Sequence, residues 1–357
     1  MAESRPRAFL SPAGKPLAAL PSFAQDPDVL RALYRGMVLT RAFDAKAVAL
    51  QRTGRLGTFA SSLGQEAVSV GIGAAMQADD VLLPSFREQG AMFWRGVAMS
   101  EVLLYWGGDE RGSDFQGPRQ DFPICVPVAS HAPHAVGVAL AFKLRKEARA
   151  AVCVLGDGAT SKGDFYEAIN IAGVWRLPAL FVINNNQWAI SVPRSAQTAA
   201  ETLAQKAVAA GIPGEMVDGN DVIAVREAVE RALGWARSGN GPSVIEAVTY
   251  RLSDHTTADD ATRYRDDAEV SGRWKAEPVA RLRNYLVTEE LWTKADEEAL
   301  HAECAAEVER EVERYEATEP APPTAMFDYL FEALPAPLRP QRDAVEAAAQ
   351  AGQGGDG

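Results

Sequence analysis

The sequence has no uninterrupted apolar run approaching the roughly eighteen residues that a membrane-spanning helix needs. It has only three cysteines, Cys125, Cys153 and Cys304, among 357 residues. Scattered and without a CxxC pair, they exclude a disulfide framework and a cysteine-built zinc site. Basic residues are in deficit, 36 Lys and Arg against 48 Asp and Glu, for a net charge of −12. That balance argues against nucleic acid and anionic membranes as partners, because both demand a concentrated positive surface. An anionic ligand would have to be met by a few local cations. Residues 1–27 carry no apolar core of signal-peptide type, and the expected setting is reducing and cytoplasmic. What the chain does have is apolar material, 47% of its residues, which suffices for one large core or two ordinary ones and excludes global disorder.

The ends differ from the middle. Residues 1–27 mix Pro, Ala and Ser without periodicity and read as an arm; residues 336–357, Ala- and Gly-rich, read as a flexible tail. Between them, residues 28–335 read as one domain. Short apolar runs at 81–84, 151–155, 179–183 and 244–249 alternate with helical periodicity, the pattern of a mostly parallel sheet with helices on both faces. Helices are expected at 132–146 and after Asp221, a good N-cap, with Gly239 as the stop. Residues 278–318 read as charged amphipathic helix. Three prolines, Pro320, Pro322 and Pro323, end it, and the apolar segment 326–334 beyond them is expected to dock on its own chain or a partner.

One stretch carries the chemistry. A strand ends at Gly156-Asp157-Gly158-Ala159, and a second, after an intervening helix, ends at Asn184-Asn185-Asn186. Ligands of open parallel sheets bind beyond the carboxyl ends of strands, and Asp157 and Asn186 both sit there. A carboxylate, an amide oxygen and a backbone carbonyl near Trp188 are the oxygen donors Mg²⁺ prefers, phosphate and water completing the shell. The backbone from Gly156 through Ala159 faces an anion at a helix start. Ser161-x-x-Asp164 resembles a capping box there, and Asp164 and Glu167 share a face of that helix, suited to a polar path at a subunit interface. A lone Gly-Asp-Gly is also a common turn, and the double Asn one strand later makes it specific.

This pairing resembles the thiamine diphosphate motif, and the chain is identified as a member of the α subunits of heterotetrameric 2-oxo acid dehydrogenase E1 components, the pyruvate and branched-chain type. The resemblance covers residues 28–335. It implies a thiamine-diphosphate-binding α/β fold with helical additions at both ends. In Ser85-Phe86-Arg87-Glu88, Arg87 matches the arginine that meets the diphosphate, a task its fork suits, while Phe86 replaces the usual Tyr. In Cys125-Val126-Pro127-Val128-Ala129-Ser130-His131, Val126 and Val128 match positions beneath the aminopyrimidine, Val128 being the apolar wedge. Ser130 matches a residue that in some members helps hold K⁺, and His131 and His134 read as structural. The run from Thr249 to Arg265 resembles the active-site loop, in which His255 contacts the diphosphate end and serves acyl transfer, as a near-neutral imidazole can. Thr256 stands next to it, at the position phosphorylated in mitochondrial relatives.

The resemblance further implies thiamine diphosphate and Mg²⁺ as cofactors, with Asp157, Asn186 and the Trp188 carbonyl on the metal. It implies an E1 β subunit that completes an α₂β₂ assembly and supplies the glutamate facing the pyrimidine, and the lipoyl domain of the E2 acyltransferase as acceptor. The chain would be inert alone. Arg55-Leu-Gly-Thr-Phe59, Gly64-Gln-Glu-Ala67 and the run 211–220 favour pyruvate as the 2-oxo acid. Branched-chain 2-oxo acids are the alternative, then acetoin. A non-catalytic paralogue would have lost the diphosphate site, and Arg87, Asp157, Asn186 and His255 are all present.

Overall fold

The computed structural model describes residues 5–353. Apolar runs become strands β1 (Val81–Leu83), β2 (Ala151–Gly156) and β3 (Ala179–Asn185), and a small antiparallel pair comes next, β4 (Trp188–Ala189) and β5 (Val192–Pro193). Strands β6 (Gly214–Asp218) and β7 (Ser243–Val248) complete a five-stranded sheet in the order β1-β2-β3-β7-β6, every pairing parallel. The four expected strands appear within two residues of their expected ends. The fifth, β6, was not anticipated. It is an edge strand in which only Val217 is fully buried, so it lacks the continuous apolar signature of its neighbours.

Helices α1 (Pro27–Arg52) and α2 (Glu66–Ala75) precede β1, and α3 (Gln89–Arg95), α4 (Met99–Gly107) and α5 (His131–Arg145) come after it. Helix α6 (Gly163–Val174) links β2 to β3, short α7 (Arg194–Gln197) and α8 (Lys206–Ala209) lead to β6, and α9 (Val222–Arg237) returns to β7. Alternate strand residues, Val81, Leu83, Ala151, Cys153, Leu155, Phe181 and Ile183, form one core with Ala135, Ala139, Phe142, Phe165, Ile169 and Ala172 of α5 and α6. The intervening residues Leu82, Val152, Val154 and Val182 point to the other face and are equally buried. Helix α9 packs there, capped by Asp221, whose Oδ1 accepts from the N–H groups of Ile223 and Ala224 at 3.0 and 3.3 Å. Gly239, with φ of +77°, ends the turn beyond it, as a left-handed position requires.

Four expectations are corrected. Residues 5–26 are not a loose arm: Arg7 bridges Val217 in parallel fashion, and the N–H groups of Phe9 and Leu10 donate to Asp221 Oδ2, both at 2.7 Å. Two buried apolar side chains, Phe9 and Leu10, anchor a strap that looked unpatterned only because it is short. The charged segment 278–318 is two helices, α11 (Pro278–Thr288) and α12 (Lys294–Glu316), after α10 (Asp267–Arg273); the break holds Glu290 at φ of +57°. Helix α6 has Lys162 as N-cap with no side-chain bond, so the Ser161/Asp164 capping box does not form. Finally, the chain divides into a unit through Glu313 and one from Arg314, and in the second, helix α13 (Arg339–Gln353) stands where a flexible tail was expected. Within that second unit Met326, Tyr329, Leu330 and Phe331 are exposed. Residues 1–4 of the expected arm and 354–357 of the expected tail lie outside the described residues. Among the described residues no helix is long and apolar enough to cross a membrane.

Candidate active site

The loops after β1, β2, β3 and β7 converge at the carboxyl edge of the sheet around a cavity of about 450 Å³. Register explains the first contact: Gly156 at the end of β2 lies beside Asn184 near the end of β3, so Asp157 and Asn186 leave adjacent strands side by side. The cavity lining includes Phe86 and Arg87 from the first loop, and Gly156, Asp157, Gly158 and Ala159 from the second. Asn186 and Trp188 come from the third, His255 and Thr256 from the fourth, and Val126 and Val128 from the turn before α5. Apart from Ser130, the K⁺ candidate, every residue singled out for cofactor or metal thus lines one space. A Cβ on Gly156 would meet nothing within 4 Å, while one on Gly158 would sit 2.6 Å from the Ala189 Cβ, so the second glycine is what lets the β4 hairpin close over the loop.

Asp157 is 2% exposed, and burial raises its pKa against the help of a 2.6 Å hydrogen bond from Gln197 Nε2. Gln65 Oε1 accepts from the amides of Asn184 and Asn186 at 3.2 and 2.9 Å, which fixes how Asn186 presents its oxygen; that oxygen accepts from the Trp188 N–H at 3.2 Å. Among the described residues no cluster of three or more His, Cys, Asp and Glu side chains gathers here or elsewhere as a metal site. A cation at Asp157 would therefore draw on amide and carbonyl oxygens and on its own anionic ligand.

The same site holds buried cations. Arg87 is 5% exposed and Arg251 fully buried, and neither forms an ion pair with a carboxylate among the described residues. Arg87 Nη1 donates to the Ser61 carbonyl, and its Nη2 reaches His255 at two atoms, the carbonyl oxygen at 2.7 Å and ring Nδ1 at 3.0 Å. Arg251 donates to the Ile190 carbonyl at 2.9 Å and the Tyr264 hydroxyl at 2.7 Å. Burial, with Arg251 nearby, lowers Arg87 to about 10. Burial and the same two guanidinium groups lower His255 to about 4, so its ring is neutral at physiological pH. Since a guanidinium only donates, Nδ1 of His255 must be the acceptor and Nε2 carries the proton. Asp259 orients the loop, accepting from the His255 N–H at 2.9 Å and from the Tyr264 hydroxyl.

Unpaired buried cations are costly to maintain and mark a place where an anion is missing. Beside them stands a buried, cation-seeking carboxylate. The donor set fits a diphosphate carried with a divalent metal.

A sequence profile of the Dehydrogenase E1 component family matches residues 34–324. The chain belongs to that family. The pyruvate dehydrogenase E1 component subunit α of Mycoplasma genitalium is 38% identical over 313 residues, 88% of this chain and 87% of that one. Its namesake from Staphylococcus aureus is 39% identical over 310 residues, covering 87% and 84%. The 3-methyl-2-oxobutanoate dehydrogenase subunit α of Mycobacterium tuberculosis is 44% identical over 299 residues, covering 83% and 81%. This chain is accordingly an α subunit of a 2-oxo acid dehydrogenase E1 component, an oxidoreductase family.

Several residues that shape this E1 site were not singled out from the sequence. Arg251 lies just past the carboxyl end of β7, the same rule that drew attention to Asp157, and that position was its available signal. Gln65 and Gln197 carry no signal beyond their amides. The two other loop histidines are structural in their contacts: His131 Nε2 bonds the Val154 carbonyl at 2.7 Å and His134 Nδ1 the Ser130 carbonyl at 2.9 Å. His131 also lines the cavity, with Nδ1 buried and unpartnered. Asp164 is half-buried and 3.9 Å from Lys162, and Glu167 lies in a separate cleft with Tyr166 and Ala209.

Proposed function

We propose that this E1 α subunit works with thiamine diphosphate and Mg²⁺ in the oxidative decarboxylation of pyruvate, passing the acetyl group to the lipoyl domain of an E2 acyltransferase, with an E1 β subunit completing an α₂β₂ enzyme. The observation that carries the reading is the buried, carboxylate-free guanidinium of Arg87 lining one cavity with Asp157 and Asn186, with a second buried guanidinium, Arg251, beside His255. Bound thiamine diphosphate supplies a nucleophilic carbon and an electron sink for the pair released as CO₂ leaves.

The chain's own residues do the rest. Arg87 binds the diphosphate end through the Nη2 that now reaches His255. Asp157, Asn186 and the Trp188 carbonyl would hold Mg²⁺ against the cofactor's phosphates. The backbone at Gly158 and Ala159 donates to the same anion. Val128 and Val126 give an apolar floor for the pyrimidine, and Phe86, edge-on to His255 at 6.0 Å between ring centres, keeps water from the imidazole. His255, neutral and with its proton on Nε2, would offer that N–H as a hydrogen-bond donor to the lipoyl sulfur as it becomes a thiolate, the proton itself coming from solvent. Ser130 Oγ, which donates to the Pro127 carbonyl at 2.9 Å, keeps lone pairs that suit a K⁺.

A second reading takes 3-methyl-2-oxobutanoate as substrate, favoured by the 44% identity of the mycobacterial relative. Coexpression with a β subunit and measurement of CO₂ release from each 2-oxo acid separates the two. Thiamine-dependent turnover of pyruvate in preference supports the first reading, preference for the branched acid replaces it by the second, and turnover of neither overturns both.

A further inference from the structure

Arg87 is the cation nearest the centre of the site, yet no carboxylate holds it. Its anchor is the carbonyl of Ser61, which accepts from Nη1. Ser61 and Ser62 lie in the turn between α1 and α2, and their polar atoms converge on Asp44, on the buried face of α1. Asp44 Oδ2 accepts from Ser61 Oγ at 2.6 Å; Oδ1 accepts from the Ser62 N–H at 2.6 Å and from Ser62 Oγ at 3.2 Å. An aspartate in a helix interior is a poor helix former, and one buried at 5% exposure is costly to desolvate. A turn needing only satisfied hydroxyls would be served by water or a neutral amide. The negative charge needs another explanation, and Arg87 supplies one, since Asp44 is among the acidic groups whose field favours the protonated guanidinium.

We propose that Asp44 is a positioning residue for Arg87: through Ser61 it fixes the carbonyl that anchors Nη1, so that Nη2 is left aimed at the ligand. The carboxylate also provides a compensating negative charge one residue removed, far enough not to occupy the guanidinium itself. A direct salt bridge would hold Arg87 equally well but would fill the fork the diphosphate needs. Burial pushes Asp44 up to about 6 despite its three hydrogen bonds, which leaves it mainly anionic at neutral pH. The proposal rests on the reading of Arg87 as a diphosphate ligand.

The test is a double-mutant cycle on the assembled enzyme, reading thiamine diphosphate affinity by calorimetry in Mg²⁺ buffer, with thermal melting alongside. Arg87→Gln is expected to weaken binding at least about tenfold. Asp44→Asn, nearly isosteric, is expected to weaken it about tenfold with Arg87 present and less than about twofold in the Arg87→Gln background, a coupling in the range seen for contacting networks. Ser61→Ala removes the tether and keeps the carbonyl; it should show a smaller loss, about threefold, with the same dependence on Arg87. Equal effects of Asp44→Asn in both backgrounds would overturn the proposal and leave Asp44 as a packing residue. If Asp44→Asn fails to assemble, the Ser61→Ala cycle decides by the same criterion. No change on Arg87→Gln alone would instead overturn the reading of the site.

Discussion

Two arginines a short distance apart in the chain show how differently one residue type is used. Arg41, on α1, is gripped by Glu66 at 2.8 Å and Glu277 at 2.6 Å. Burial alone would lower its pKa, but the two carboxylates hold it above the ordinary arginine value. Arg87 is more deeply buried and has no carboxylate, and its pKa is lowered. The first guanidinium is spent on joining α1 to α2 and the segment before α11. The second is left with its bonding capacity directed at carbonyls and a neutral imidazole, groups that an anion can displace at little loss. Pairing closes a site, and the lack of pairing opens one.

The contrast predicts opposite phenotypes. Arg41→Met should be the most damaging to stability, about 3 kcal/mol or more by chemical denaturation, because it strands two buried carboxylates. Arg87→Met should leave stability unchanged or slightly raised, since it removes a buried charge that no carboxylate contacts directly, and should weaken thiamine diphosphate binding roughly 100-fold by calorimetry. A melt that falls on Arg87→Met as it does on Arg41→Met would erase the distinction.

A third effect is one of pH. His255 in the free chain titrates near 4 against an ordinary 6.5. The unfolded chain therefore takes up this proton first, and stability contributed at neutral pH is lost as pH falls from about 6.5 towards 4. Pyrophosphate bound at Arg87 should raise the His255 pKa by roughly one to two units, about 1.4–2.7 kcal/mol, read from the imidazole proton NMR shift. A His255 titration indifferent to pyrophosphate would mean that Arg87 answers to something else. The smallest effect belongs to Arg35, which pairs with Glu303 and Glu307 at 2.7 and 2.6 Å but is 38% exposed. Arg35→Ala should alter stability by less than about 1 kcal/mol, showing that the Arg41 result reflects burial as well as pairing.

Much of this was legible from the sequence where physics acts locally. Asp157 and Asn186 could be placed because fully buried parallel strands are continuous apolar runs, and residues just past the carboxyl end of such a run face ligand in an open sheet. The N-cap of α9 at Asp221 and the stop at Gly239 are equally local. Asp44, Gln65 and Gln197 were not legible, because their roles are set by partners brought near by tertiary folding, and a polar residue on a helix ordinarily reads as solvated. The same limit hid β6, half-buried at the sheet edge, and made the Ala-rich helix α13 look like loose tail. The break in the charged helix at Glu290 has no proline or glycine to announce it.

The strap that ends at Asp221 has a consequence for how the chain reaches its native state. One carboxylate divides its oxygens, Oδ1 capping α9 and Oδ2 receiving Phe9 and Leu10. Those partners leave the ribosome 212 and 211 residues before Asp221 does. Until β6 and α9 exist, two backbone donors and two apolar side chains have nowhere to go. Contacts of such separation close late and slowly. The strap therefore acts as a clasp that records completion: resistance of its peptide bonds to protease, monitored during refolding, should be the last protection to appear.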